Sequence, residues 1–240
     1  MKLSEELGQA RFLAILRHIP KERILFCAEV FASRGGKFLE ITFDPSDSET
    51  LRHTGGAIRA LRQEFPQLHI GAGTVLNVPM AEAAADAGAE FLVSPACSPA
   101  VIETAHRRGA AVIPGALTPN EILHAWEAGA DLVKLFPILP GQEQYVKTVM
   151  APLSHIPFIV TGGVTPETLR SMLATGGIGF SAGTGGTAGP DRPRPADRTS
   201  SQGDCTWLTN LQKEWLSSPA RRRGSDASSQ KRWPNRAAGC

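Results

Sequence analysis

The fold is decided by a repeating unit that is clearest in residues 110–136, AAVIPGALTPNEILHAWEAGADLVKLF. The apolar, β-branched run Ala110–Pro114 predicts a strand. The stretch Thr118-Pro-Asn-Glu121 supplies an N-cap threonine, a proline at the first helical position and a glutamate at the third, so it predicts a helix over 119–128. A second apolar run, Asp131–Phe136, predicts the next strand. This order of strand, helix and strand is typical of a parallel βαβ unit.

The same unit recurs along the first 184 residues. Eight strands are predicted, at Phe12–Arg17, Lys37–Phe43, Leu68–Ala72, Glu90–Ser94, Ala110–Pro114, Asp131–Phe136, Pro157–Thr161 and Gly177–Ser181. Helical stretches follow the first seven, among them Lys21–Ser33, Ser48–Phe65, Pro79–Ala87, Ala100–Arg108, Pro119–Ala128 and Pro166–Ala174. Eight alternating strands and helices predict an α/β fold of the (β/α)₈ TIM barrel type over residues 1–184.

An open, doubly wound parallel sheet is the alternative to the barrel. Such a sheet usually has fewer strands, and its first turn often carries G-x-G-x-x-G. The nearest match, Gly71-Ala-Gly73, follows the third predicted strand and lacks the last glycine. The barrel is therefore the favoured prediction.

Composition and charge exclude several classes of protein. Of 240 residues, 42% are hydrophobic and 20% charged, as in an ordinary globular domain. No run of 18 apolar residues predicts a membrane span, and the polar start Met1–Gln9 does not resemble a signal peptide, so we expect a cytoplasmic protein with no membrane partner. The six histidines and four cysteines show no metal-ligand spacing, so no metal site is expected.

The segment 185–240 does not continue the pattern. It is rich in proline, serine and arginine and carries ten basic and five acidic residues, which leaves the remainder of the chain at −3 out of a total of +2. The basic balance therefore belongs to this tail, and the barrel is not expected to bind nucleic acid. The composition predicts an atypical, disordered tail. Within it, the spacing of apolar residues over 206–216 is compatible with one helix.

Lys134 is the most informative candidate residue. It lies in the middle of Asp131-Leu-Val-Lys-Leu-Phe-Pro137, a strand that is otherwise apolar. Burial disfavours the charged form of an amine and lowers its pKa, and a neutral amine is a nucleophile toward ketones. A structural lysine paired with an inward carboxylate is an equally open interpretation of this residue alone.

Glu40 is a lone carboxylate in a second apolar strand, Phe38-Leu-Glu-Ile-Thr-Phe43. Alternation places Glu40 and Thr42 on one face, which a barrel directs to its interior. A buried carboxylate has a raised pKa and can move protons in both directions, as Schiff-base chemistry requires. A plain ion pair between Glu40 and Lys134 remains the alternative.

Further candidates lie where the predicted strands end. Thr161-Gly-Gly163 follows the seventh strand and precedes a helix, and glycines there allow backbone N–H groups to approach a phosphate. In barrels, the loops after strands seven and eight commonly form the phosphate site. Arg17 closes the first strand and can hold a carboxylate through two hydrogen bonds. A plain tight turn and a solvated strand end are the respective alternatives.

Several segments in the same order resemble the 2-keto-3-deoxy-6-phosphogluconate / 4-hydroxy-2-oxoglutarate aldolase family. They are Leu-Glu-Ile-Thr around Glu40, Gly71-Ala-Gly-Thr-Val-Leu-Asn77, Val93-Ser-Pro95, Ile113-Pro-Gly115, Val133-Lys-Leu-Phe-Pro137 and Thr161-Gly-Gly-Val-Thr-Pro166, and they span roughly residues 10–184. The resemblance implies a (β/α)₈ barrel, usually a homotrimer, and a class I aldolase that needs neither a metal nor another cofactor.

The resemblance also implies a role for each matching residue. Lys134 resembles the Schiff-base lysine and Glu40 the proton-transfer carboxylate. The residues that resemble substrate-binding positions are Arg17, Thr74, Pro95, Phe136 and Thr161, and those that resemble phosphate-binding positions are Gly162, Gly163 and Thr184. Some family members carry an arginine where this chain has Asp44, so the substrate carboxylate contact is expected on Arg17.

The expected reaction is cleavage of 2-dehydro-3-deoxy-6-phosphogluconate, its phosphogalactonate epimer or 4-hydroxy-2-oxoglutarate to pyruvate and an aldehyde such as glyceraldehyde 3-phosphate. The partner is thus a small 2-keto acid. Two alternatives stay open: another phosphate-binding barrel enzyme, such as an isomerase, and a catalytically inactive chain with an aberrant C-terminus.

Overall fold

The computed structural model describes residues 3–164 and 168–183. The predicted phosphate contact of Thr184, and the tail 185–240 with its helix at 206–216, lie outside the described residues. So does the N-terminal part of the helix predicted at Pro166–Ala174.

Strands and helices alternate along the described chain. The strands are β1 Phe12–Leu16, β2 Phe38–Thr42, β3 His69–Gly73, β4 Phe91–Val93, β5 Ala111–Ile113, β6 Gly115–Ala116, β7 Val133–Leu135, β8 Phe158–Thr161 and β9 Gly179–Gly183. The helices are α1 Leu3–Ala10, α2 Lys21–Ser33, α3 Thr50–Glu64, α4 Val78–Asp86, α5 Pro99–Arg107, α6 Pro119–Glu127, α7 Glu143–Met150 and α8 Leu169–Leu173. The capping box predicted at Thr118 and Glu121 is present at the start of α6.

All strand pairings are parallel, in the order β5-β4-β3-β2-β1-β9-β8-β7-β6. The two ends of this order are consecutive in the chain, because only Pro114 separates β5 from β6. Together they occupy one strand position and close the barrel. On one side the Ile113 carbonyl accepts a hydrogen bond from Ser94 N, and on the other the Pro114 carbonyl accepts one from Lys134 N at 2.9 Å. The eight-stranded parallel barrel is thus confirmed.

The fold differs from the prediction at two places. The strand predicted to end at Pro114 continues beyond it: β5 stops before Pro114, which has no N–H to donate to a ladder, and pairing resumes in β6. The helix α1 was not predicted, because it buries a single large apolar side chain, Leu7, and one such residue gives no periodic signal.

Alternation along β1 separates two apolar layers. Phe12, Ala14 and Leu16 belong to the layer between the sheet and the helices, whereas Leu13 and Ile15 point inward. The inward layer also contains Leu7, Phe38, Phe91, Val93, Ile113, Leu132 and Ile159. This apolar plug fills the barrel below the polar residues of β2 and β7. No helix among the described residues is both long and apolar enough to cross a bilayer.

Glycine in β3 is required by close packing inside the barrel. A Cβ atom at Gly71 would lie 2.2 Å from the ring of Phe91, whereas a Cβ at Gly56 in α3 would meet nothing within 4 Å. The ring of Phe91 is fully buried and cannot move aside without disturbing the plug.

We therefore expect Gly71→Ala to destabilise the protein by about 1–3 kcal/mol through overpacking. The matched substitution Gly56→Ala should stabilise it by up to about 1 kcal/mol, because alanine is the better helix former. Urea unfolding followed by circular dichroism measures both. An unchanged unfolding midpoint for Gly71→Ala would contradict the packing described above.

Candidate active site

Two ionisable side chains enter the barrel from strands on different sides. Glu40 lies in β2 and is 1% exposed, and Lys134 lies in β7 and is 5% exposed. Both belong to the inward set of their strands, since Phe38 on β2 and Ile159, which pairs with Lys134, contribute to the interior plug. The two residues that the sequence singled out are thus brought into one enclosed space.

The Glu40 carboxylate is buried without a hydrogen-bond partner. Neither of its oxygens has a partner among the described residues. Burial raises the pKa of Glu40, and the positive charges of Lys134 and Arg17 oppose that shift. Room for the carboxylate comes from Gly73, where a Cβ atom would lie only 1.8 Å from Glu40 Oε1. An unpartnered carboxyl group of this kind is suited to exchange protons with a ligand or a water.

The Lys134 amine is held in a setting that favours its neutral form. Burial lowers the pKa of Lys134; Glu40 opposes that shift, and Arg17 adds to it. Its Nζ atom lies 4.7 Å from the centre of the half-buried Phe136 ring, which forms part of the wall. A lysine with a lowered pKa in a cavity is a nucleophile for a carbonyl carbon.

Arg17 and Thr74 meet where β1 and β3 end. Arg17 Nη2 donates a hydrogen bond to Thr74 Oγ1 at 3.2 Å, and both side chains are half-buried. Thr74 has φ 57°, a left-handed conformation that is strained for a β-branched residue and that concentrates at functional sites. The guanidinium and the hydroxyl can together bind a carboxylate.

The turn after β8 requires glycine at two consecutive positions. Gly162 has φ 99° and Gly163 has φ 55°. Cβ atoms there would lie 2.9 Å from the Ile138 carbonyl oxygen and 2.5 Å from Pro140 Cδ. The turn is therefore closed to larger residues on one side, and its backbone N–H groups remain suited to an anion. The preceding Thr161 is buried and hydrogen-bonded to Ser181 at 2.6 Å.

Pro95 follows β4 and is half-buried. Its carbonyl oxygen packs so closely against the chain at Gly115 that a Cβ there would approach it to 2.2 Å. Glu40 and Lys134 therefore lie within their strands, and the other predicted site residues lie at or just after the carboxyl ends of theirs, apart from Thr184, which lies outside the described residues.

Sequence reasoning missed three features of this end of the barrel. Gly73 is needed because of Glu40, a dependence that appears only once the register of β2 and β3 is known. Ser181 was predicted only as a strand residue. His18 Nδ1 pairs with Asp44 Oδ2 at 3.1 Å at the rim, and hydrogen bonds from Ser46 together with His18 lower the pKa of Asp44. No group of three metal-ligating side chains occurs within the described ranges.

Comparison with known proteins agrees with this geometry. A family model described as KDPG and KHG aldolase matches residues 3–188. The chain belongs to this family. It is 34% identical over 177 residues to a 2-dehydro-3-deoxy-phosphogluconate aldolase of Pseudomonas aeruginosa, covering 73% of this chain and 78% of the relative. It is 40% identical over 116 residues to a 2-dehydro-3-deoxy-6-phosphogalactonate aldolase of Escherichia coli, covering 48% and 57%.

Solved structures agree as well. A structure described as native KDPGal has a TM-score of 0.70 at 30% identity and covers 85% of this chain and 94% of that one. A KDPG aldolase from Legionella pneumophila, with pyruvate captured as a covalent carbinolamine, has a TM-score of 0.65 and covers 76% and 86%. Its identity is 22%, so it supports the shared fold alone.

The space beside Gly73 can be tested directly. Gly73→Ala should move the Glu40 carboxylate and lower kcat by roughly a hundredfold, because a displacement of about 1 Å at a reacting group has an effect of that size. Cleavage of 2-dehydro-3-deoxy-6-phosphogluconate, followed by pyruvate release, is the measurement. As a control, Gly8→Ala adds a Cβ at 4.0 Å from Ile178 Cβ and should keep full activity. Full activity of a folded Gly73→Ala would show that Glu40 is not constrained as described.

Proposed function

We propose that this protein is a class I aldolase that forms a Schiff base through Lys134. The observation that carries the proposal is a buried lysine with a lowered pKa, inside a barrel of the KDPG and KHG aldolase family, in the field of one buried carboxylate. An ion pair alone would not account for a glutamate whose two oxygens are without hydrogen bonds.

The reaction begins when the neutral Lys134 amine attacks the C2 carbonyl carbon of a 2-keto acid. The resulting carbinolamine loses its hydroxyl as water and becomes an iminium. The C4 hydroxyl then gives up its proton to the Glu40 carboxylate, which the dehydration step has left deprotonated, the C3–C4 bond breaks, and its electron pair moves into the iminium. The aldehyde leaves and an enamine of pyruvate remains. Protonation at C3 and hydrolysis release pyruvate and restore the amine.

Glu40 supplies the proton transfers. Its raised pKa favours the protonated form, and Glu40 delivers its proton through a water to the carbinolamine hydroxyl, regains one from the C4 hydroxyl and then protonates the enamine. Because its carboxylate makes no hydrogen bond with the described residues, a water or the substrate can reach either oxygen without displacing a protein group.

The remaining site residues orient the substrate. We assign the substrate carboxylate to Arg17 and Thr74, which already share a hydrogen bond. Pro95 and Phe136 line the pyruvyl group, and Thr161 lies beside the rest of the substrate chain. The phosphate binds at the turn of Gly162 and Gly163, and Thr184 completes that contact as a prediction from the sequence.

The named relatives suggest the substrate class. They act on 2-dehydro-3-deoxy-phosphogluconate or its phosphogalactonate counterpart, and the family description adds the KHG substrate. We propose a phosphorylated 2-dehydro-3-deoxy sugar acid, with glyceraldehyde 3-phosphate as the aldehyde product. Such a substrate is charged and does not cross a bilayer, which supports the expected cytoplasmic location. The homotrimer expected from the family remains a proposal, which light scattering coupled to size-exclusion chromatography tests.

The Schiff base should be trapped by borohydride. Incubation with pyruvate and sodium borohydride should add a reduced pyruvyl group to Lys134, located by peptide mass spectrometry, and Lys134→Met should abolish both trapping and turnover. The control, Lys147→Met, changes an exposed lysine of α7 and should retain both. An adduct on another lysine, or none on a folded protein, would refute the mechanism.

The pH dependence of trapping should respond in opposite directions to two substitutions. Glu40→Gln removes the charge that raises the pKa of Lys134, so the midpoint should move to lower pH. Arg17→Met removes a charge that lowers this pKa, so the midpoint should move to higher pH. Arg52→Met, on the outer helix α3, should leave it in place. Shifts in the same direction for both substitutions would contradict the electrostatic assignment.

A further inference from the structure

A pair of buried hydroxyl groups lies inside the barrel on β8 and β9, and β9 pairs directly with β1, the strand that Arg17 follows. Thr161 Oγ1 and Ser181 Oγ are 2.6 Å apart, and the two residues are 4% and 1% exposed. They are direct partners in the register of β8 and β9. Within the described part of the chain, neither hydroxyl has a second hydrogen-bond partner.

The register places Ser181 in the layer of the reacting groups. In an eight-stranded barrel with a shear of eight, a layer perpendicular to the axis advances by about one residue per strand. Lys134 pairs with Ile159, which pairs with Gly179, so the residue of β9 in the layer of Lys134 is Ser181.

The same advance of about one residue per strand leads from Ser181 on β9 to Glu40 on β2. Ser181 pairs with Leu13, and Leu13 pairs with Phe38, two residues before Glu40. Ser181 therefore stands between Lys134 and Glu40 around the layer. Thr161 lies about half a layer closer to the mouth and directly precedes Gly162.

The pair of hydroxyls has one more O–H hydrogen than it has acceptors among the described residues. Each hydroxyl carries one hydrogen, and one hydrogen bond joins the two oxygens. One O–H hydrogen is therefore left over in a buried position, where an unsatisfied donor is unfavourable. If Ser181 donates to Thr161, the hydrogen of Thr161 is free to be directed at a ligand beside Gly162.

We propose that Ser181 is a positioning residue that orients the Thr161 hydroxyl as a donor to the C5 hydroxyl oxygen of the substrate. The inference rests on the proposed function. With the carboxylate at Arg17 and Thr74 and the phosphate at Gly162, the carbons between them pass Thr161. The C4 oxygen must lose its proton for the C–C bond to break, so a surplus donor suits the spectator oxygen on C5.

This arrangement makes the hydroxyl pair a specificity element for the aldehyde. In the reverse, carbon–carbon bond-forming direction, the enzyme should prefer an aldehyde with a hydroxyl next to the carbonyl. A site built to hydrogen-bond a substrate hydroxyl discriminates strongly against the analogue that lacks it.

The test compares two aldehydes with pyruvate as the partner. They are D-glyceraldehyde 3-phosphate and its 2-deoxy analogue, 3-phosphooxypropanal, and the readout is the ratio of their kcat/KM values. Ser181→Ala should lower this ratio by about tenfold, the loss of roughly one oriented hydrogen bond. Thr104→Val removes a hydroxyl that is also 1% exposed but lies in α5, bonded to Arg107, and should leave the ratio unchanged.

Coupling between the two hydroxyls provides a second readout that a merely structural role would not give. Thr161→Val should lower the ratio at least as far as Ser181→Ala, and the double substitution should lower it no further than Thr161→Val. If Ser181→Ala does not fold, Thr161→Ser and Thr161→Val form the comparison, and the first should retain the ratio that the second loses.

An unchanged ratio in folded Ser181→Ala, or an additive loss in the double variant, would overturn the inference. A failure of the proposed function is seen separately, because the unsubstituted protein would then form no borohydride-trapped adduct with pyruvate.

Discussion

The structure depends on the burial of a carboxyl group and an amine inside a barrel that is otherwise filled with apolar side chains. Burial disfavours the charged form of each group, and the opposite charge of the other group favours it. The balance gives an amine that can be neutral and a carboxyl group that can hold a proton, which is the pair of states that Schiff-base chemistry needs. A direct hydrogen-bonded ion pair would fix both groups in the wrong states, and the free oxygens of Glu40 show that no such bond forms.

Much of the surrounding sequence follows from this burial. The strand next to Glu40 can carry no side chain at Gly73, and the strand next to Lys134 is interrupted at Pro114, whose carbonyl still accepts the Lys134 N–H. The apolar plug below the pair excludes water from one side. The mouth supplies polar groups on neighbouring parts of the barrel, Arg17 with Thr74 after β1 and β3, and Thr161 with Ser181 on β8 and β9. In the proposed function, a linear substrate with a carboxylate end and a phosphate end contacts both sets.

The sequence predicted the barrel and the position of its two central residues because both leave local signals. Apolar strands recur along the chain at intervals long enough to hold a helix, with glycine and proline between them. Lys134 and Glu40 are each a single charged residue within an apolar strand. Gly73 and Ser181 left no such signal. A glycine in a strand has many explanations, and a serine among small residues is unremarkable; their meaning comes from the register between strands that are distant in sequence. The interruption at Pro114 follows from a local property, the missing N–H of proline, but the pairing that resumes after it, and the helix α1 with its single buried Leu7, depend on tertiary contacts.

The shifted pKa values of Lys134 and Glu40 also mean that the site lowers the free energy of unfolding. Lys134 has a lowered pKa, so the unfolded chain binds more protons than the native one between that lowered pKa and about 10.5, and the native state is penalised at every pH below about 10.5. Glu40 has a raised pKa, so the native chain binds more protons than the unfolded one between about 4.5 and that raised pKa, and the native state is penalised at every pH above about 4.5. Both penalties act in the same window around neutrality, where the enzyme would work. The apolar layers of the barrel offset them, because the side chains of β1, β4 and β8 that face inward bury apolar surface beneath the two groups. The plug is therefore a condition for the chemistry: it excludes water, and it stabilises a fold that must hold an amine and a carboxyl group away from water.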